Sequence, residues 1–411
     1  MYSLPVQVLE QIAQKIGTPL YVYDLEHIRQ RAAALREAFG GRFRISYAVK
    51  ANPNPTLLQR MRSIVDHLDV SSGGELQRAI EAGWHPSQIG FTGPGKRDKE
   101  LQLAVDQKID HVIVESIGEA QRANEIATRA GVVQPVLIRV SPMRPPVGFG
   151  SRMAGKPTQF GIDEEVIDDA IDAIKMVSSV RLDGFHVYSG TQCLDPDAIV
   201  EHFNVTFSLF QSLCSRHDIT PQTLVIGSGF GIPYHERDVA LDLNELGARI
   251  CRITEGLKSV PRFQATNLLL ELGRFLVGEA GCFLTRVIST KLSRGIPISI
   301  CDGGMNQHLA AAGHLGSVIH RNYPLFKVAT DLPPPHTWQP QLVYGPLCTS
   351  IDLLGNQIKL PALCAGDLLG IACSGAYGLT SSPMHFISHA PAAEVLVERG
   401  TDILYSIVSV L

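Results

Sequence analysis

The sequence predicts an α/β fold: a (β/α)8 barrel followed by a mostly β domain. Two observations carry that expectation. Between about residues 45 and 272, eight short β-rich apolar runs alternate with amphipathic stretches of helical period, the mark of repeated strand–helix units around a parallel sheet. After residue 275 the helical period stops, and runs of strand character bounded by Gly and Pro take over. Eight units in a little over two hundred residues suit a closed barrel better than an open doubly wound sheet.

In chain order, TPLYVYD (18–24) reads as a strand ahead of the first unit, placed to join the later β domain. Barrel strands are expected at RISYAV (44–49), HLDVSS (67–72), IGFTG (89–93), HVIVES (111–116), VLIRVS (136–141), LDGFHVY (182–188), TLVIGSG (223–229) and NLLLEL (267–272). Between them, GELQRAIEAG and IGEAQRANEIATRAG set Leu76, Ala79, Ile80 and Ala120, Ala123, Ile126, Ala127 at helical spacing. The β domain is expected from FLVGEAGCFLTRVISTKL (275–292), GIPISICDGG (295–304), QPQLVYGPLC (339–348) and NQIKLPALCAGDLLGIACSGAY (356–377). The boundaries that follow are 25–272 for the barrel, and 1–24 with 273–411 for the β domain.

Composition narrows the class. With 411 residues, 45% of them apolar, 37 Gly and 25 Pro, the chain is an ordinary globule and not a disordered chain, coiled coil or disulfide scaffold. Lys plus Arg is 36 against 40 for Asp plus Glu, a net charge of −4 without long runs of one sign, so neither nucleic acid nor a membrane is expected as partner. No apolar run reaches the roughly 18 residues a bilayer needs, and the start lacks a basic segment followed by an apolar one. A cytoplasmic protein is expected. The eight cysteines are scattered, without a CxxC pair or a nearby His at ligand spacing, which implies reduced thiols, mostly packed in the core, and no metal.

In such a barrel, reactive groups sit where strands give way to loops at the C-terminal face. Lys50 ends the first strand in YAVKANPNP, GSGFG (227–231) ends the seventh, and Glu271 and Arg274 end the eighth in ELGR. A lysine partly desolvated by barrel walls can serve as an imine-forming amine. The glycines let backbone N–H groups approach an anion, and a helix expected after them adds its positive end, so a phosphate fits. The dinucleotide pattern GxGxxG fails, because residue 232 is Ile. Amine, phosphate cradle and carboxylate at one mouth are the needs of pyridoxal phosphate. Plainer readings stand beside each feature: a solvated loop lysine, a tight glycine turn, a salt bridge at the rim.

These same segments resemble the pyridoxal-phosphate decarboxylases with an alanine-racemase-like barrel, whose members act on diaminopimelate, ornithine, lysine or arginine. The resemblance covers nearly the whole chain and rests on YAVKANPNP, DVSSGGEL (69–76), GFHVYSGTQ (184–192), GSGFGIPY (227–234), ELGRFLV (271–277), CDGGMN (301–306), GPLCTSID (345–352) and SGAYG (374–378). It implies that Lys50 is the imine lysine, that Glu271 partners the ring nitrogen, and that Gly229 with its neighbours, Thr191, Arg274 and Tyr377 hold the phosphate. Asp69, Tyr188, Gly227, Gly231 and Gly273 complete the implied cofactor set. Cys348 is implied as a catalytic cysteine donated by the second subunit of a homodimer with shared active sites.

Two departures bear on the substrate. Where the family sets a His against the cofactor face, this chain has Tyr188, with His186 two residues earlier. The residue after the cysteine is Thr349, whereas an acid there binds the distal ammonium of diamine substrates; a neutral hydroxyl cannot supply that charge-assisted bond. Arg144, Arg152 and Lys156, in the long loop 141–161, are expected to reach the mouth, and Asp302 in CDGGMN is a further substrate candidate. The resemblance is greatest to a subgroup tied to siderophore, antibiotic or exopolysaccharide pathways, which implies a conjugated or carrier-bound amino acid. The alternatives are a diaminopimelate- or lysine-type decarboxylase, an amino-acid racemase and a non-catalytic relative.

Overall fold

The computed structural model describes residues 4–144, 147–152, 154–314, 321–399 and 403–408, apart from the side chains of 151, 152, 399 and 403–408. Two compact units form: Arg31–Ile232 with Val239–Gly273, and Met1–Gln30 with Pro233–Asp238 and Arg274–Leu411. The first strand of the chain, β1 (Leu20–Asp24), belongs to the second of these.

The other unit is a closed barrel of eight parallel strands: β2 (Arg44–Ala48), β3 (His67–Val70), β4 (Ile89–Phe91), β5 (His111–Val114), β6 (Gln134–Ser141), β7 (Val180–Val187), β8 (Thr223–Gly227) and β9 (Asn267–Leu272). Neighbours in this order pair in parallel, and β9 returns to β2 to close the ring. Every predicted barrel run overlaps one of these strands, and β6 and β7 each begin two residues earlier than expected. Closure removes the sheet edges and leaves the interior to side chains such as Ile113, Leu137, Val225 and Leu269, which meet there fully buried. Each such residue contributes about 1.5–3 kcal/mol.

The helices outside the ring begin and end at chemical signals. Ser72 caps Gly73–Glu81 by accepting from the Glu75 amide at 3.1 Å, and Leu76 and Ala79 turn inward. Ser116 caps Ile117–Ala130 in the same way, with Ala120, Ala123, Ile126 and Ala127 buried and Gly131 ending the helix in the left-handed region.

The second unit is a mixed sheet. Its strands are β10 (Gly281–Ser293), β11 (Ile296–Cys301), β12 (Leu325–Lys327), β13 (Gln339–Tyr344), β14 (Leu353–Leu360), β15 (Leu368–Ile371), β16 (Ala393–Arg399) and β17 (Ile403–Val408). As expected, β1 joins this sheet, antiparallel to β10 and parallel to β16. The helix Val6–Ile16 packs Leu9 and Ile12 on the face formed by Leu20, Val22, Leu284 and Val395. No helix among the described residues is long and apolar enough to cross a membrane.

Candidate active site

Lys50 sits on the single 3-10 turn Val49–Ala51 that ends β2. The surrounding YAVKANPNP explains the turn. Tyr47 Oη donates to the Asn52 carbonyl at 2.9 Å, Asn52 Oδ1 takes the Asn54 amide, and Asn54 Oδ1 caps the helix Pro55–Met61. Gly273 lets this turn come close, since a Cβ there would lie 3.0 Å from that of Ala51.

The Lys50 ammonium lies 3.5 Å from Glu271 Oε1 and 5.5 Å from the centre of the Tyr188 ring. Its side chain is 37% exposed, while that of Glu271 is 3% exposed. Burial pushes the Glu271 carboxyl up, but Lys50, the hydrogen bond from His186 and the charge of Arg139 outweigh it and hold it at about 2. His186, lowered by its own burial, is neutral at neutral pH, so its Nε2–H donates to Glu271 Oε2 at 3.1 Å. The other ring nitrogen, Nδ1, is buried without a partner.

Asp69, at the end of β3, behaves oppositely. Burial and the neighbouring Glu271 charge push it well above the usual carboxylate range, against Lys50 and a hydrogen bond from Thr92. The site thus pushes its two carboxyls in opposite directions, Glu271 down and Asp69 up. Asp69 Oδ2 is a further buried atom without a partner.

Tyr188 follows β7 and lies over Gly227, where a Cβ would come 1.9 Å from its Cδ2. The guanidinium of Arg139 stands 5.9 Å from the Tyr188 ring, 4.6 Å from that of Phe160, and 3.2 Å from Glu115. Sequence reading missed Arg139 and Glu115. The signal was a charge inside VLIRVS and another at the end of HVIVES, because an ionised group in an otherwise apolar barrel strand needs a buried partner.

The glycine segment is a pinned loop. Gly229 has φ +66°, and a Cβ there would lie 2.3 Å from Phe149 and 2.6 Å from the Gly190 carbonyl. Gln192 clasps Ile232 through Nε2 to its carbonyl (2.6 Å) and Oε1 to its amide (3.2 Å). Cys193 pairs with the loop on both sides, from its amide to the Gly229 carbonyl and from its carbonyl to the Gly231 amide. His202 Nε2 meets the Gly227 carbonyl at 2.9 Å. Thr191 is half-buried in a short ladder with residue 151, and Ser189 Oγ is buried without a partner. One expectation fails: no helix follows the glycines, since Pro233 opens a loop and the next helix begins at Leu243. Any anion here is met by loop amides, without a helix dipole.

In the β unit, Arg274 Nη1 donates to Tyr234 Oη at 2.6 Å, and its guanidinium lies over the Tyr377 ring at 4.8 Å. Arg274 Nε is buried and unpartnered. Cys348 is exposed and Thr349 half-buried. CDGGMN and GPLCTSID meet at Asp352, whose carboxylate accepts from the amides of Met305 (2.6 Å) and Leu347 (2.9 Å).

Four expected substrate residues fare differently. Asp302 has both oxygens engaged within the β unit, Oδ1 by Thr285 and the Arg286 amide and Oδ2 by Thr18, so it serves the fold. Arg144 is exposed and lines a groove with Glu201, Asn204 and Ser208 of the helix Pro196–Arg216. The side chain of Arg152 lies outside the described residues; Lys156 is exposed.

The barrel residues fit pyridoxal phosphate. They offer an accessible amine, a carboxylate kept ionised beside it, a glycine cradle that a Cβ would fill, and buried polar atoms at Asp69 and Ser189 still lacking partners. Comparison with known proteins agrees. The family described as pyridoxal-dependent decarboxylase, pyridoxal binding domain, matches residues 25–278. The chain is 34% identical over 394 residues to the L-glutamyl-[BtrI acyl-carrier protein] decarboxylase of Niallia circulans, covering 95% of this chain and 91% of that one. It is 32% identical over 400 residues to the diaminopimelate decarboxylase of Aquifex aeolicus, covering 96% and 90%. The crystal structure of diaminopimelate decarboxylase from Helicobacter pylori complexed with L-lysine superposes with a TM-score of 0.85 at 28% identity, covering 97% and 95%. The chain belongs to the pyridoxal-dependent decarboxylases, and it is a pyridoxal-phosphate-dependent amino-acid decarboxylase of the alanine-racemase-like fold.

Proposed function

We propose that the substrate is an amino acid carried on an acyl or carrier arm and not a free diamine precursor, with Lys50, Glu271 and Cys348 as the working groups. The observation that carries the substrate reading is Thr349: half-buried beside Cys348, it offers a hydroxyl where a distal ammonium would need a charge. The resemblance to the glutamyl-carrier-protein enzyme supports the same reading.

When bound, pyridoxal phosphate supplies an aldehyde for Lys50 and a ring that takes up the electron pair left when the carboxylate departs. The residues around it divide the remaining work. Lys50, whose amine is accessible beside Glu271, would be the residue that holds the cofactor aldehyde. Glu271, held ionised by Lys50 and His186, keeps a proton on the ring nitrogen. A racemase of this fold sets Arg in that role, so the carboxylate favours decarboxylation. Gly227, Gly229 and Gly231 would offer loop amides to the phosphate, with Thr191 of the same unit as a further donor. Tyr188 flanks the ring, and Asp69, in its protonated form, is a hydrogen-bond donor. The exposed Cys348 thiol returns a proton to the α-carbon in the partner subunit's site of a homodimer.

The test is product formation from glutamate, lysine, ornithine, arginine, diaminopimelate, and citryl- or carrier-linked amino acids. A conjugate is expected to give the highest kcat/KM. Preference for diaminopimelate or lysine overturns the reading from Thr349.

A further inference from the structure

At the other end of the barrel, where the strands begin, three metal-ligating side chains converge. His67 opens β3, and Asp110 with His111 opens β5. The intervening β4 contributes Gly90, paired in register with His111. A Cβ at Gly90 would lie 2.5 Å from His111 Nε2, so the missing side chain is what lets the ring lean across the strand. The two imidazoles then lie nearly parallel, 5.3 Å apart and 7° from coplanar in orientation.

Both rings aim one nitrogen at the same atom. His67 Nε2 is 3.2 Å and His111 Nδ1 2.9 Å from Asp110 Oδ2, and the three ligand atoms lie within 4.8 Å of one another. Ligands about 2.0–2.1 Å from a tetrahedral ion stand about 3.3 Å apart, so small movements admit a cation between them. An outer partner is in place: His67 Nδ1 lies 3.0 Å from Ser46 Oγ, so the tautomer with Nδ1–H donating to Ser46 frees Nε2 for an ion. The imidazoles are 1% and 3% exposed and the carboxylate 33%, which leaves a route in and a coordination position open to water.

We propose that His67, Asp110 and His111 form a divalent transition-metal site of the Zn2+ type that ties β3 to β5 across β4. Two imidazoles and one carboxylate suit zinc among the common ions. The position, remote from the strand ends that carry Lys50, assigns it a structural role. The sequence reading expected no metal because it sought ligand spacing along the chain, whereas His67 is brought to Asp110 and His111 by the pairing of β3, β4 and β5.

The test is Co2+ titration of the chelator-treated holoenzyme, read by its ligand-field absorption, with Zn2+ competition and thermal unfolding. One ion per chain is expected, displaced by Zn2+, with a higher unfolding temperature. Asp110→Asn, which keeps size and an acceptor oxygen, abolishes the band, while decarboxylation is unchanged. Ser46→Ala, which leaves all three ligands, weakens binding about 10–100-fold. No band and no thermal shift at millimolar Co2+ overturns the proposal, as does a band that survives Asp110→Asn.

Discussion

Glu271→Gln in the cofactor-free protein is the sharpest probe of the site's electrostatics. Glutamine has nearly the shape of the protonated acid, so the substitution removes the charge and little else. The folded protein holds Glu271 at about 2, against 4.5 for the free group. Because the folded value is the lower one, the charge contributes stability above pH 4.5, and that contribution is lost as pH falls towards 2. A shift of that size corresponds to about 3 kcal/mol at pH 7, falling to about 1.4 kcal/mol at pH 3. The exposure of Lys50 makes these upper figures. Urea unfolding of both proteins at the two pH values measures the difference. Asp69→Asn has the opposite sign. Its folded value is raised, so the wild-type carboxyl costs stability above about pH 4; the substitution stabilises at pH 7, and the gain disappears at pH 3. The two carboxyls titrate as a pair. Equal losses from both substitutions at pH 7, or a Glu271→Gln effect that does not shrink at pH 3, would refute the opposite shifts of the two acids.

Lys50→Ala should lower product formation by at least about 10³-fold while leaving the circular dichroism unchanged. Cys348→Ala, at an exposed position, should leave unfolding unaltered and slow turnover about 10²-fold. If Cys348 serves the partner's site, mixing and re-equilibrating the two inactive variants should restore about one quarter of wild-type activity, the share expected of one intact site in each hybrid dimer. Arg139→Met leaves Glu115 buried without its ion pair, and chemical denaturation should show a loss of about 3–5 kcal/mol. Gly229→Ala meets both a positive φ and contacts at 2.3 and 2.6 Å; fluorescence titration should show weakened cofactor binding, and an unchanged affinity would remove the loop from the phosphate site.

The barrel was legible because strand periodicity and helix caps act locally, so each run between residues 44 and 272 announced its own element. Lys50 and Glu271 were legible because both stand at strand ends. Arg139 and Glu115 were missed because their pairing joins β6 to the end of β5, and nothing in either segment names the other. The expected helix after GSGFG failed for a local reason, the proline at 233. Asp302 looked free for chemistry because its three donors, Thr18, Thr285 and the Arg286 amide, come from β10 and the segment before β1. His67 and His111 carried no signal in the sequence, because only the pairing of β3, β4 and β5, with Gly90 between them, brings their rings together.

Catalysis as proposed depends on a covalent bond between Lys50 and pyridoxal phosphate. Borohydride reduction of the purified protein, followed by peptide mass mapping, tests this directly. A pyridoxyl group on the peptide containing Lys50, with bleaching of the visible band, is the predicted result; a band that resists reduction, or a label on any other lysine, would contradict it.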